Sequence, residues 1–147
     1  MHFTEYDTRL AAYGLLTTED GKILLTWFNG NARATPCWTM PGGQDEFDDS
    51  IRDAVAREVF EETGYLVDVG HVIAEHHFTV PCTADRRPFR SQRFLLAATI
   101  TGGELGTTER DGTTDFAEWV PIVEVIELEP RADIVEVALA ALPDHTK

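Results

Sequence analysis

One stretch constrains this chain more than any other, Gly42 to Tyr65. It reads Gly-Gly-Gln-Asp-Glu-Phe-Asp-Asp-Ser-Ile-Arg-Asp-Ala-Val-Ala-Arg-Glu-Val-Phe-Glu-Glu-Thr-Gly-Tyr. A glycine pair leads into an acidic loop, the loop leads into a helix, and the helix ends in glutamates. Ser50 is placed to cap the first turn, and Asp53, three residues on, approximates a capping box. Asp48 and Asp49 put negative charge where the helix dipole is positive. Gly64 suits the left-handed position just past a helix end. The spacing predicts a helix from about Ile51 to Thr63.

The face of that helix carries the chemistry. Ile51, Ala54, Val55 and Val59 form an apolar stripe at helical spacing. Glu58 and Glu62 fall inside the same stripe, and Glu61 lies at its edge. The first turns therefore point methyl groups at the protein, and the later turns point carboxylates the same way. Two carboxylates about 4 Å apart at an effective dielectric near 20 repel by roughly 4 kcal/mol. A partly buried group of three needs protonation, arginine partners or a hard cation, and an all-oxygen set suits magnesium, manganese or calcium. Glutamates are also strong helix formers, and runs of them usually sit in water. The rest of the stretch separates the two readings.

The segment resembles the signature box of the Nudix hydrolases, G-x5-E-x7-R-E-U-x-E-E-x-G-U, with U a bulky apolar residue. Gly43 opens it, Arg57, Glu58, Val59, Glu61, Glu62 and Gly64 fill the later positions, and Tyr65 stands at the last. Trp38-Thr-Met-Pro41-Gly42-Gly43 resembles the usual lead-in, and the box covers about a sixth of the chain. Asp49 stands where the family has Glu, one methylene shorter, and Phe47-Asp48 replaces a common Pro-Gly. In the family that acid pairs with the box arginine, here Arg57. Neither change removes a principal metal ligand. Tyr65 in the apolar slot is a milder departure.

Composition bounds what else the chain does. At 147 residues, a single domain over 1–147 with its own core is expected. A formal charge of −14 argues against gripping long nucleic acid through many phosphate contacts. It leaves a mononucleotide open, because a metal can bridge acidic side chains to phosphates. Cys37 and Cys82 make neither a disulfide framework nor a zinc spacing. There is no basic segment followed by an apolar one at the N-terminus, and no apolar run of membrane-spanning length. These features give the expectation of a cytoplasmic protein with no membrane partner.

Along the chain, Arg9–Thr17 and Lys22–Phe28 read as strands, with Asp20-Gly21 as a hairpin signal. Residues 29–36 form a loop leading to Trp38, which is read as core rather than as a substrate platform. Tyr65–Val80 predicts one or two strands. His76 and His77 would point to opposite faces there, so they are read as structural rather than as a joint metal site. Arg86, Arg87, Arg90 and Arg93 form the basic cluster of an acidic chain, either balancing the surface or holding substrate phosphate, with Arg93 the first choice for the latter because it abuts the strand Phe94–Thr101. That strand reads as buried on both faces. Glu109, Asp111 and Asp115 lie in a polar loop. Ala117–Val120 reads as a short strand, Pro121 to about Glu127 as a short helix, and Ala132–Leu142 as a helix packed on the sheet.

The resemblance implies an α/β fold, a Nudix-type α/β/α sandwich with a mixed β-sheet between helices. It implies that Glu58, Glu61 and Glu62, with the Gly42 carbonyl, hold Mg2+ (Mn2+ as the alternative), that Arg57 orients the acids, and that Gly43 lies against substrate. Family members often bring a further acid from a later loop, for which Glu109, Asp111 and Asp115 are all candidates, Glu109 being named first without the sequence choosing among them. The implied activity is hydrolysis of a nucleoside diphosphate linked to another moiety, of the nucleoside triphosphate or nucleotide-sugar class. The products would be a nucleoside monophosphate and a phosphate-bearing group. A nucleotide or metabolite sensor that does not cleave its ligand is the alternative on the same fold. Pro81 lies near a position where ADP-ribose-type members often carry proline, which does not decide the substrate. Many relatives are dimers, so a homodimer stays open.

Overall fold

The computed structural model describes residues 1–109 and 111–143. Among the described residues, seven strands form two sheets. The four-stranded sheet runs β4 (Gly42–Gln44), β1 (Asp7–Leu15), β6 (Phe89–Gly103), β5 (Tyr65–Val80). It is mixed, with β1 parallel to β6 and the other pairs antiparallel. The three-stranded sheet is antiparallel, in the order β3 (Cys37–Thr39), β2 (Lys22–Phe28), β7 (Thr114–Pro121). Helices α1 (Ile51–Thr63) and α2 (Asp133–Ala141) flank them. Ala11, Tyr13 and Leu95 pack toward α2, whereas Ala12 and Leu96 pack toward α1. Alternation along β1 and β6 thus feeds two cores from one sheet. This is the α/β/α arrangement expected.

Helix α1 has the bounds its signals predict. The Ser50 side chain accepts from the Asp53 backbone N–H at 3.1 Å. Gly64 closes the helix in the left-handed region, φ +81°, and a Cβ there would lie 2.1 Å from the Glu104 carbonyl oxygen. Ala54, Val55 and Val59 are fully buried. Each buried valine contributes about 1.5–2 kcal/mol. These anchors fix the rotation of the helix, and that rotation decides where Glu58 and Glu62 point. Tyr65 fits its apolar slot because its hydroxyl accepts from Trp119 Nε1 at 3.1 Å.

The hairpin at Asp20-Gly21 forms, but its strands part at once. Thr17 bridges Ile23 and Leu24 N–H donates to the Leu16 carbonyl, after which β1 joins one sheet and β2 the other. Sequence alternation marks strands and not partners, so this divergence was not visible in it. Tyr65–Val80 is one strand whose register shifts mark bulges between Leu66 and Ala74. The strand around Phe94–Thr101 begins earlier, at Phe89, which places Arg90 and Arg93 inside it rather than in the preceding loop. Residues Ile122–Glu127 form a 3-10 helix. No described helix is long and apolar enough to cross a membrane.

Candidate active site

A cleft of about 390 Å3 opens where both sheets, α1 and the start of α2 meet. Gly42, Gly43, Glu58 and Glu62 line one side, and Arg9 and Tyr13 stand beside them. Gly42 is held at φ +142°, and a Cβ there would sit 2.3 Å from the Ala12 carbonyl oxygen, so glycine alone lets β4 lie on β1. The Gly42 N–H donates to Glu62 Oε1 at 3.1 Å. Glu58 lies against Gly43, its Oε1 3.5 Å from where a Cβ would be.

Glu62 is 5% exposed. Its carboxyl is held well above the usual carboxylate range, first by burial and next by the hydrogen bond it shares with Glu58. The Gly42 N–H pulls the other way, and the charges of Glu58 and Glu109 add to the rise. Glu61 is raised too, by burial and then by Glu58 and Glu109. Among the described residues, no cationic side chain pairs with Glu62.

Arg57 answers part of that charge. Its Nη2 donates to Asp49 Oδ2 at 2.8 Å and its Nη1 to Glu58 Oε1 at 3.2 Å. Nη1 also lies 3.7 Å from both Glu46 and Glu61. The shorter Asp49 side chain therefore keeps the arginine pairing, and that pairing holds its carboxyl below the usual range. Because Arg57 sits between Glu58 and Glu61, no three acidic, histidine or cysteine side chains among the described residues stand ready as a metal cage. The donor set nevertheless fits a hard divalent cation. All its groups are oxygens, and the buried Glu62 carboxylate lacks the positive partner that burial demands. Nudix hydrolases generally use divalent metal ions.

The loop after β6 is clamped to the end of α1. Thr107 Oγ1 donates to the Glu62 carbonyl at 3.2 Å, and Thr108 Oγ1 to the Phe60 carbonyl at 3.1 Å. The N–H groups of Thr108 and Glu109 both donate to the Glu61 carbonyl. Carbonyls that a helix end leaves without partners are thereby satisfied. The clamp brings Glu109 near enough for its charge to act on Glu61 and Glu62. Glu109, Asp111 and Asp115 together line an open polar depression with Asn29 and Asn31, and none of the three lines the cleft itself. Asp115 accepts from the Asn29 amide at 2.9 Å.

Arg93 is the expected site residue that is not brought to the cleft. It is 5% exposed on the α2 face, donating to Asp133 Oδ1 at 2.6 Å and bonded to His76 Nδ1 at 2.7 Å. The guanidinium is committed to a structural pair, so correction is needed to its role as a phosphate holder. His76 is accounted for by the same pair. The other cluster arginines are also engaged: Arg86 over the Phe89 ring, Arg87 with the Thr4 carbonyl and Asp7, and Arg90 over the Tyr6 ring. Pro81 lines a separate apolar groove with Tyr6 and Phe89. The arginine in the cleft is Arg9, whose side chain makes, among the described residues, one long hydrogen bond of 3.4 Å to Gln44 Oε1. Its signal was faint, an isolated cation two and four residues before Ala11 and Tyr13 on one face of β1. Only the pairing of β1 with β4 sets that face beside Gly42. Trp38 packs in an aromatic group with Trp27 and Phe116, at 5.3 and 5.6 Å between ring centroids, and does not line the cleft.

Comparisons with known proteins agree with this geometry. The phosphatase NudJ of Escherichia coli strain K12 is 32% identical over 108 residues, which is 74% of this chain and 65% of the relative. The match thus spans less than two thirds of the relative's length. A NUDIX hydrolase from Nitrosomonas europaea superposes with a TM-score of 0.73 at 22% identity, over 92% of this chain and 88% of that one. A MutT NUDIX hydrolase from Burkholderia pseudomallei gives 0.69 at 21% identity, over 93% and 99%. These structural likenesses speak for the fold. The model of the NUDIX domain matches residues 7–141. With the box glutamates gathered on one helix face and nearly the whole chain matched, this protein belongs to the Nudix hydrolase family.

Proposed function

We propose that this chain is a Mg2+-dependent pyrophosphohydrolase, with Mn2+ as an alternative metal. Its substrate would be a nucleoside diphosphate linked to another moiety, of the nucleoside triphosphate or nucleotide-sugar class. One observation carries the reading: Glu62 is a buried carboxyl beside a cleft, raised by burial and by Glu58, with no cationic partner among the described residues. Glu58, Glu61 and Glu62, with the Gly42 carbonyl, would hold the cation. When bound, it would neutralise phosphate charge and lower the pKa of the attacking water.

The remaining work falls to the chain's own residues. Arg9 takes the phosphate-holding role expected of Arg93, since it stands in the cleft with its guanidinium nearly free. Gly43 admits the substrate close to the backbone. Arg57 fixes the acids against one another through Asp49, Glu58 and Glu61. Water oxygen attacks phosphorus, the phosphoanhydride P–O bond breaks toward the leaving phosphate, and the water proton passes to a carboxylate. Glu109 is the candidate, being clamped beside Glu61. The products are a nucleoside monophosphate and a phosphate-bearing group.

A binder that does not cleave its ligand drew its support from Asp49. Since Asp49 keeps its arginine at 2.8 Å, hydrolysis is the better supported reading. The test is a panel of nucleoside triphosphates, an oxidised guanine triphosphate, ADP-ribose, dinucleoside polyphosphates and NADH, with and without Mg2+. Metal-dependent cleavage of one class is expected. Tight binding of one member with no cleavage would favour the sensor.

A further inference from the structure

Asp45 is the residue of the acidic loop that no role above absorbs. Its backbone N–H donates to the Leu10 carbonyl at 3.0 Å, which fixes it to the middle of β1. Both of its carboxylate oxygens are sealed from water, and neither has a hydrogen-bond partner. A carboxylate in that state is costly unless something comes to meet it. The charges around it are Asp49, Arg57 and Glu58. Across from it, Arg57 has the matching defect. Nη1 and Nη2 are engaged, but Nε is sealed from water and has no acceptor.

A guanidinium offers two donor edges, and an acid of full length can take two N–H groups side by side. Asp49, one methylene short, reaches Nη2 alone, at 2.8 Å. The neighbouring Nε–H is left over, and a second carboxylate lies nearby with nothing to accept.

We propose that Asp45 is a positioning residue for Arg57, the second acid of a split pair in which Asp45 and Asp49 together do what one longer carboxylate would do. Asp49 holds the outer nitrogen and Asp45 takes the Nε edge. The pairing tightens when Glu58 and Glu61 turn from Nη1 toward a cation, because Arg57 then loses two of its four acids and draws on Asp45 beside Asp49 and Glu46. Asp45 touches neither substrate nor metal and acts through Arg57 on the two glutamates. The inference rests on the hydrolase reading for its activity readout, and on the acid cluster alone for its binding readout.

Burial also pushes Asp45 up to about 6, with Asp49 and Glu58 raising it further and Arg57 pulling it down. Replacing it by asparagine therefore removes a charge the fold holds unwillingly, and Asp45→Asn is expected to fold with an unchanged or higher Tm. The experiment uses Asp45→Asn, Asp49→Glu and the double variant in the full chain. Two readouts are taken: kcat and KM on the best substrate of the panel, and Mn2+ affinity by electron paramagnetic resonance. Loss of a residue that orients ligands from behind costs about tenfold. Asp45→Asn should lower kcat by about that factor with KM nearly unchanged, and should weaken Mn2+ binding. The double variant should recover most of both losses, because glutamate at 49 can take both edges of Arg57. Wild-type kcat and Mn2+ affinity in Asp45→Asn would overturn the proposal. So would a double variant no better than Asp45→Asn. If the wild type cleaves no panel member, the hydrolase reading fails, while the Mn2+ series still decides the role of Asp45.

Discussion

Two charged clusters sit under the surface of this protein, and they are built differently. On the α2 side, Arg93 is flanked by Asp133 and His76 at 2.6 and 2.7 Å, with the Phe78 ring 5.1 Å below. There the arginine has a carboxylate and an imidazole of its own, although its Nε is sealed without an acceptor, and Asp133 is pulled below its usual range by the arginine. On the α1 side, Glu58, Glu61, Glu62 and Asp45 gather around a single arginine, and Glu61, Glu62 and Asp45 are all pushed up. A closed pair ties a sheet to a helix. An open set of acids has a charge deficit that the described residues do not balance. Both contain arginine and carboxylate, so residue type alone does not tell them apart; the balance of partners does.

Removing one acid from the open cluster gives the largest effect. Glu58→Gln is expected to lower turnover by about 10^3-fold, ~4 kcal/mol at the transition state, while circular dichroism and Tm stay as in the wild type. If turnover holds, the open cluster is no catalytic site. The closed cluster should respond in the opposite currency. Asp133→Ala leaves Arg93 buried without its carboxylate and is expected to cost about 2 kcal/mol in urea unfolding, less than a fully buried pair because Asp133 is half-exposed. Its kcat should stay near wild type. Arg9→Ala should raise KM about tenfold, the worth of one hydrogen bond to a charged group, while Arg93→Lys should leave KM alone. Equal KM values in the two variants would erase the distinction between the arginines.

The pH dependence of stability sharpens the comparison with smaller effects. Asp133 has a depressed folded pKa, so its stabilisation is present above the unfolded value of 3.8 and is lost as pH falls through the folded one. Asp45 is raised from 3.8 to about 6, so its contribution is present below 3.8 and lost as pH climbs to about 6. Glu61 and Glu62 have the same sign. Metal-free protein should therefore lose stability as pH rises across this window, and Asp45→Asn should flatten the loss. Mg2+ should raise Tm more at pH 7.5 than at pH 5, as differential scanning calorimetry would register.

What was legible in the sequence follows the same line. Helix α1 was, because its cap, stripe and terminal glycine lie within a few residues of one another. The gathering of Glu58 and Glu62 was, since a helix carries its anchors and its acids on one rigid rod. Arg93 was not, because its partners come from 17 and 40 residues away and only the β5–β6 register and the packing of α2 unite them. Arg9 needed the β1–β4 pairing. Asp45 was hidden in a run of acids with Glu46, Asp48 and Asp49, and nothing in such a run says which carboxylate is sealed.

The central claim is that the open cluster exists to hold a cation for catalysis, and Glu62 is its most buried member. The direct measurement is Mg2+-dependent turnover of the best panel substrate by Glu62→Gln, beside the wild type. We predict a folded protein, at least as stable without metal as the wild type, with turnover abolished. Near wild-type turnover by that variant, or wild-type turnover that survives removal of the metal by a chelator, would contradict the account.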